Sequence, residues 1–319
     1  MQQTGLNSDL HVGKKRLHIQ TSFSNTTSTI ISNIFENGRV VEARKVDLPK
    51  EQINGQLDSR LKTVHRQMVE DFELLFYMAD KVRQVRHPVS CNKMGLVFIK
   101  KGFLEEAIAF FKLAISTDDG FADAYKNLGV CYLMQEDYEQ AEHAFRQALG
   151  FAKDFADIVF CLGRLYFEKK EYATALEFFE KCTSLNKSYY TAHYFISLTL
   201  LRTLQASNKP AELPPEESCV KLIQKHLDDA SKAHKPFVNN LSMQARSALA
   251  AGNYKEASDY LEKAYEQAQA ELDLTFEHEF YLKFMYGGKG KDNAFIGNYI
   301  DALNDAIDER PEFADLHNN

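Results

Sequence analysis

Residues 122–155 read ADAYKNLGVCYLMQEDYEQAEHAFRQALGFAKDF, and the segments on either side repeat their pattern. Gly129 has a counterpart in each of these segments, Gly95 before it and Gly163 after it, at the same spacing. In each segment an aromatic residue follows the glycine by three positions, an alanine by twelve and a phenylalanine by sixteen. The recurring residues predicted to carry the packing are Gly95, Ala107, Phe111, Gly129, Ala141, Phe145, Gly163, Ala175 and Phe179. A fixed period of about 34 residues predicts a repeat architecture.

The spacing within each segment predicts two antiparallel helices. Glycine and alanine are expected where the helices cross, because only small side chains allow a close approach, and the aromatic residues are expected to fill the space beside the crossing. Turn residues such as Gly102-Phe103 and Glu136-Asp137 separate the helices. One helical pair cannot cover its own apolar face, so neighbouring pairs must stack into a solenoid.

This pattern closely resembles the tetratricopeptide repeat (TPR) family over about residues 88–189. The family's aromatic residue at the fourth position is kept only as Tyr125, and its closing proline is replaced in all three units. The resemblance implies a mainly α fold, a right-handed α-solenoid of helix-turn-helix repeats. It also implies that the first helices of successive units line a concave groove that holds extended peptides.

Beyond residue 189 the repeats degenerate. Residues 88–205 are expected to contain three repeats and the first helix of a fourth, with Ser197 in the glycine position. A Pro-containing loop is predicted at 206–214, degenerate repeats 4–6 at 215–311 and a tail at 312–319. For the fifth unit, over about 238–270, the residues expected in the packing positions are Ala245, Tyr254, Ala257, Leu261 and Ala264.

The N-terminal part has a different pattern. We expect a flexible tail at 1–13 and a small antiparallel β-meander of three strands at 14–52. Apolar residues alternate there, and Asn37-Gly38 is a strong signal for a two-residue hairpin turn. Such a small sheet needs a cover on one face.

A long amphipathic helix is predicted at 55–87. Its apolar residues fall at alternating steps of four and three, with Asp71 at the single skipped position: Leu57, Leu61, Val64, Met68, Leu75, Met78, Val82 and Val85. This spacing is compatible with a coiled-coil seam, and hence with a homodimer through Leu57–Val85. The alternative is a helix that packs on the meander and caps the first repeat. Phe72 and Phe76 widen the apolar stripe, which favours the cap.

The composition points away from several partners. The chain has 319 residues and a net charge of -7. Residues 1–87 carry 13 basic and 10 acidic residues, leaving 25 and 35 for the remainder, so the repeats carry -10. An acidic surface repels nucleic acid and anionic membranes. The five cysteines include no CxxC pair, which predicts free thiols in a reducing compartment. The sequence also shows no apolar leader and no apolar run long enough to cross a membrane, so a cytoplasmic protein is expected.

No catalytic motif stands out. Gly287–Lys291 lacks the spacing of a phosphate-binding loop, and HExxH, GxSxG and GxGxxG do not occur. Glu277-His278-Glu279 is the nearest approach to a metal cluster, but consecutive residues cannot all face one ion, so a solvated face is expected. Cys131 and Cys161 are expected to be buried thiols. We therefore predict no enzyme, no cofactor and no metal site.

The groove implied by the TPR resemblance is the predicted partner-binding surface. Its lining is expected to be Asn92, Leu96, Ile99, Lys126, Asn127, Val130, Leu133, Phe160, Arg164, Phe167, Tyr194, Leu198 and Leu201. Lys126 and Asn127 match single positions of the carboxylate clamp of chaperone-binding members, but the full clamp is missing. The groove is largely apolar, so it either takes a partner segment or is filled by this chain, through the 57–85 helix or the C-terminal units.

The sequence therefore predicts a non-catalytic adaptor or scaffold that binds a protein or peptide partner in the repeat groove. The main alternative is a self-assembling structural module that oligomerises through the 57–85 helix and the repeat surfaces. A cryptic enzyme subunit or a regulatory partner is a third, weaker hypothesis. Fold alone does not decide among them, because these repeats serve many unrelated functions.

Overall fold

The computed structural model describes residues 5–13, 15–48, 50–205, 215–270 and 276–287. These residues form two compact units. Unit 1 contains the described residues up to Thr117 together with 276–287, and unit 2 contains those from Asp118 to 270. The predicted loop at 206–214, the part of the last repeat after residue 287 and the tail at 312–319 lie outside the described residues.

Unit 1 begins with a four-stranded antiparallel meander in the order β1-β2-β3-β4. The strands are β1 Gly5–Val12, β2 Lys15–Ser24, β3 Thr29–Glu36 and β4 Arg39–Asp47. Both residues of the predicted hairpin turn, Asn37 and Gly38, have positive φ. A type I′ turn requires this conformation at its two central residues.

The prediction of three strands behind a flexible tail at 1–13 was wrong, because β1 pairs with β2 over its whole length. The strand was missed because its alternation is weak. Leu6, Leu10 and Val12 take the inward positions, but Ser8 interrupts them with a hydroxyl group. In the structure β1 is held by its pairing with β2, by the buried side chains of Leu10 and Val12, and by Leu6, which packs against the cluster that α1 and the sheet share.

Helix α1, Lys50–Val85, covers the sheet. Its Leu61 and Val64 share a buried cluster with Ile30 and Leu48 of the sheet region. Further along α1, Met68, Leu75, Met78 and Val82 are also buried, whereas Val85 is exposed. The apolar face that the sequence suggested as a dimer seam is thus occupied within one chain, in agreement with the cap interpretation.

The first repeat follows as α2, Pro88–Lys100, and α3, Leu104–Thr117. Phe76 of α1 packs against Phe98 and Phe103, with ring centroids 5.5 and 5.7 Å apart. Helix α12, Phe276–Tyr286, also belongs to this unit. Its Tyr281 hydroxyl lies 3.1 Å from the Ser90 hydroxyl of α2, so α12 packs on the first repeat. The sequence pattern had placed this segment in a sixth repeat.

Unit 2 consists of four helical hairpins. Its helices are α4 Ala122–Met134, α5 Tyr138–Phe151, α6 Ala156–Glu168, α7 Tyr172–Leu185, α8 Tyr190–Gln205, α9 Glu216–Ala233, α10 Asn240–Ala250 and α11 Tyr254–Ala270. With α2 and α3, they make ten of the twelve α-helices in the described residues. The predicted class, helical repeats behind a small β-meander and a long helix, is confirmed.

The repeating glycines face the repeating phenylalanines. A β-carbon on Gly129 would lie 2.6 Å from Cδ1 and Cε1 of Phe145, and Gly163 would meet Phe179 at 2.5 Å in the same way. Gly95 stands in the same relation to Phe111. Each ring therefore fills the space that a side chain would need. From the sequence, the aromatic residues were expected beside the helix crossing rather than directly against the glycine.

We predict that Gly129→Ala lowers the free energy of unfolding by up to about 2 kcal/mol. Overpacking costs roughly 1–3 kcal/mol, and the gain of about 1 kcal/mol in helix propensity offsets only part of that cost. Urea unfolding followed by circular dichroism measures the effect.

Gly150 provides the matched control, because it also lies inside a helix but a β-carbon there meets nothing within 4 Å. Gly150→Ala should raise the free energy of unfolding by about 0.5–1 kcal/mol. Equal effects of the two substitutions would show that the contact with Phe145 does not constrain the fold.

A polar network lies under α1 against the sheet. His65 Nδ1 is 2.9 Å from Thr21 Oγ1, and its Nε2 is 2.8 Å from Ser8 Oγ. Thr21 Oγ1 in turn lies 2.7 Å from Ser32 Oγ. Burial lowers the pKa of His65 below its ordinary value of 6.5, so the neutral ring is favoured in the folded chain.

We predict that this histidine makes the protein less stable in acid. Its pKa is lower in the folded chain than in the unfolded chain, so the unfolded chain binds the proton first as the pH falls below about 6.5. The free energy of unfolding should fall between about pH 7 and about pH 5.5, and the fall should be smaller, by up to about 1 kcal/mol, in His65→Gln. Urea titrations at the two pH values measure the difference, and identical pH dependence in the two proteins would contradict the prediction.

Candidate functional site

The residues predicted to line the groove do not all share one environment. On α2, in unit 1, Asn92 is buried, whereas Leu96 and Ile99 are partly exposed. On α4, in unit 2, Val130 and Leu133 pack against the cluster formed by α5 and α6. These two residues therefore contribute to packing between helices.

Lys126 and Asn127 lie on the same helix, α4. The ammonium group of Lys126 is 3.0 Å from a carboxylate oxygen of Asp123 and 3.6 Å from one of Asp157. Burial acts to lower the pKa of Lys126, but the two carboxylates outweigh it and the pKa is raised. The side chain of Asn127 is buried. A lysine already paired with two acids is a poor receptor for a carboxylate ligand.

Phe160 and Leu201 lie inside the packing between helices. The ring of Phe160 is 5.7 Å from that of Phe179, 5.3 Å from Tyr189 and 5.6 Å from Phe195. Leu201 on α8 is fully buried. Neither residue presents a side chain that a partner could contact without displacing helices.

Four of the predicted residues, Arg164, Phe167, Tyr194 and Leu198, line one open pocket in unit 2. The pocket has a volume of about 640 Å³ and lies among α6, α8 and α11 and the turn before α7. We call it the α6/α8/α11 pocket. The remaining lining residues are Glu168, Lys170, Tyr172, Phe195, Arg202, Glu262, Tyr265 and Glu266.

Helix α11 forms one wall of this pocket because it packs directly on α8. The rings of Tyr265 and Tyr194 are stacked with centroids 4.3 Å apart. The side-chain amide of Gln205 donates hydrogen bonds of 3.1 Å to the carbonyl of Tyr254 and to the hydroxyl of Ser258. The C-terminal repeat thus covers part of the α8 surface. The C-terminal units are one of the two parts of this chain that, from the sequence, could fill the groove.

The pocket is of mixed character, with aromatic walls and charges of both signs. The guanidinium of Arg164 lies 4.5 Å from the ring centroid of Phe195 and 3.3 Å from Glu168. Arg202 is paired with Glu262 across α8 and α11. The lining contains three basic and three acidic residues. The surface is therefore less apolar than the sequence predicted.

Burial keeps the tyrosine hydroxyls of this region neutral. It raises the pKa of Tyr265 to about 12 and that of Tyr194 well above its ordinary value. Both groups remain hydrogen-bond donors at neutral pH, and neither is a base. The pocket can therefore recognise a ligand through ring contacts and hydrogen bonds.

Sequence reasoning missed the contribution of Arg202, Glu262 and Tyr265. Nothing in the repeat pattern indicates that α11 lies against α8. A weak signal was present, because Glu262 and Tyr265 are three residues apart and so lie on one face of a helix. The face they share could be identified only from the structure.

Neither Cys131 nor Cys161 is an activated nucleophile. Cys131 is buried as predicted, whereas Cys161 is only partly buried. Desolvation raises the pKa of Cys161 to about 11 and that of Cys131 to about 12. All five cysteines are free thiols in the structure. His278 of the sequence Glu277-His278-Glu279 lies beside Lys93, with 3.3 Å between Nδ1 and Nζ.

Comparison with known proteins identifies the repeats. Family models of the tetratricopeptide repeat match residues 89–120, 122–155 and 156–189. Residues 89–189 are therefore three tetratricopeptide repeats, as predicted. No curated protein sequence gives a significant match to the chain. Within the described residues, no helix is both long and apolar enough to cross a membrane.

Several solved structures are similar to part of the chain. A thermophilic TPR protein of Thermus thermophilus is 16% identical, with a TM-score of 0.44 over 62% of this chain and 100% of its own. PilW, a type IV pilus biogenesis factor, is 18% identical, with a TM-score of 0.43 over 72% of this chain and 97% of its own. YrrB, described as a TPR protein with an unusual peptide-binding site, is 17% identical, with a TM-score of 0.39 over 63% of this chain and 97% of its own.

We predict that Tyr265→Ala loosens the contact between α8 and α11. Loss of the stacked ring should lower the free energy of unfolding by roughly 2–3 kcal/mol and speed amide hydrogen exchange in α8. Tyr265→Phe keeps the ring and should stay within about 1 kcal/mol of the wild type. Unchanged exchange in α8 of the alanine variant would show that Tyr265 does not hold the two helices together.

Proposed function

We propose that the protein is a non-catalytic adaptor that binds a segment of a protein partner in the α6/α8/α11 pocket. The observation that carries the proposal is the pocket itself, an open concavity with aromatic walls and paired charges in a chain built from TPR hairpins. Concave surfaces with a few aromatic and arginine side chains are the usual places where binding energy concentrates.

The lining suggests the chemistry of the segment. Phe167 and Tyr172 have ring centroids 5.7 Å apart and are both partly exposed, so they offer an apolar contact at one end of the pocket. Arg164 and Arg202 are more exposed than Lys126. The structure pairs Arg164 with Glu168 and Arg202 with Glu262, whereas Lys126 contacts two acids, so a ligand carboxylate can replace the glutamates more readily. We infer a partner segment with one aromatic or aliphatic anchor next to an acidic residue.

The thiols and the sequence composition support a cytoplasmic location. Five free cysteines with four of them buried suit a reducing compartment, where disulfides do not form. The acidic repeats favour a protein partner over nucleic acid. We therefore propose that the adaptor works in the cytoplasm.

The alternative of self-assembly through residues 57–85 has less support. Leu61, Val64, Met68 and Phe72 of that helix are buried against the sheet and the first repeat within one chain. A dimer seam would have to expose them again. Self-association through other surfaces of the repeats remains a separate hypothesis, which light scattering of the purified chain would test.

We predict that a random peptide library displayed on phage yields binders of the full-length chain, and that Phe167→Ser weakens their binding by about tenfold or more. The physical reason is the loss of a half-buried aromatic contact, worth roughly 1.5–3 kcal/mol. Isothermal titration calorimetry with the selected synthetic peptides measures the change.

Phe155→Ser is the matched control, since Phe155 is an exposed phenylalanine at the other end of α6 and is not part of the pocket lining. It should leave the affinity unchanged. If circular dichroism shows that Phe167→Ser and Phe155→Ser are both folded and the peptides bind them equally well, the binding surface lies outside this pocket.

A further inference from the structure

Two histidines that are distant in the sequence meet inside the hairpin of α8 and α9. His193 lies in the first turn of α8, and its Nδ1 is 2.8 Å from Nδ1 of His226 on α9. Asp229 follows His226 by three residues, on the same face of α9. Ligand-type atoms of the three residues all lie within 4.8 Å of one another. Within the described part of the chain, they are the one such trio of His, Cys, Asp or Glu side chains.

The orientation of His193 is fixed from outside the trio. Its Nε2 is 2.9 Å from the carbonyl oxygen of Lys187, in the turn before α8, and can only donate a hydrogen there. The neutral ring therefore has a lone pair on Nδ1, which points at His226. A backbone carbonyl that holds the second nitrogen in this way is the usual support of a metal-binding histidine.

The contact between the two Nδ1 atoms requires a hydrogen or a metal ion between the rings. Since His193 presents a lone pair, the neutral His226 ring either donates a hydrogen bond from its own Nδ1–H, or a metal ion takes the place of that hydrogen. In the second case the His226 proton moves to Nε2, the ring stays neutral, and both Nδ1 lone pairs face the ion. Ligand atoms around tetrahedral Zn²⁺ are about 3.3 Å apart, so the two rings need to separate by about 0.5 Å and the carboxylate of Asp229 needs to move closer by up to about 1.5 Å.

We propose that His193, His226 and Asp229 form a binding site for a first-row divalent metal ion, with Zn²⁺ as the preferred ion. Two imidazoles and one carboxylate suit Zn²⁺, Co²⁺ and Ni²⁺ and are a poor set for Ca²⁺ and Mg²⁺, which prefer all-oxygen sites. Three protein ligands leave a fourth position for water or for a side chain of another molecule.

The surroundings allow an ion to enter. Asp229 is only partly buried, and its present partner is the exposed ammonium group of Lys232 at 3.4 Å. An exposed pair of this kind contributes little and is readily exchanged. An ion held by His193 and His226 would fasten the first turn of α8 to α9, and would stabilise the folded chain by mass action.

The test uses the full-length chain after removal of metals with a chelator. Isothermal titration calorimetry with Zn²⁺ should show a site of one ion per chain, and Co²⁺ should give the visible absorption bands of tetrahedral coordination. His226→Asn and the isosteric Asp229→Asn should each weaken Zn²⁺ binding by about tenfold or more.

His143→Asn controls for loss of an exposed histidine elsewhere in unit 2 and should bind Zn²⁺ as the wild type does. Circular dichroism verifies that each variant is folded. The proposal is overturned if the wild type shows no one-to-one site, or if it and the two folded site variants bind Zn²⁺ equally. Neither result affects the test of the peptide pocket, because the two sites share no residue.

Discussion

The contact between a glycine on one helix and a phenylalanine ring on the next is the constraint on which the repeats depend. At Gly129 there is room for a hydrogen atom but not for a methyl group, because Phe145 occupies the space. The ring fixes the distance between the helices of a hairpin, and the hairpin fixes the face that it offers to its neighbour. The repeat period is therefore the spacing of a packing contact, which is why it can be read from sequence.

The fourth and fifth units lack this glycine, and their helices pack differently from those of the regular repeats. The fourth unit has Ser197 in the glycine position, and the Ser197 hydroxyl donates a hydrogen bond to the carbonyl of His193. In the fifth unit Ala245 takes that position, and α11 packs on α8 through Tyr265 and Tyr194. That packing completes the α6/α8/α11 pocket, so the candidate binding surface lies where the third regular repeat, through α6, meets the degenerate repeats.

The sequence predicted what depends on local spacing and missed what depends on distant packing. The hairpins, the Asn37-Gly38 turn and the extent of α8 follow from periods and turn chemistry. Strand β1 was missed because Ser8 interrupts its apolar alternation, and because its partners, β2 and the α1 residue His65, are contacts that the pattern does not show. Assignment of groove faces from a family pattern treated Phe160 as exposed, whereas three neighbouring rings enclose it. A family consensus predicts where a helix lies, but the helices that pack around it determine which of its faces is exposed to solvent.

The pair of His193 and His226 is a candidate site that the order of residues along the chain does not reveal. Ser197 and Ile223 face each other at the crossing of α8 and α9, both fully buried. One turn before Ser197 is His193, and about one turn after Ile223 is His226, because the helices run antiparallel. Counting outward from the crossing thus brings the two residues to the same level of the hairpin. Histidines that are far apart in the sequence can therefore lie side by side in the folded hairpin. The small residue at the crossing, here Ser197, is the position from which helical turns are counted along the two helices.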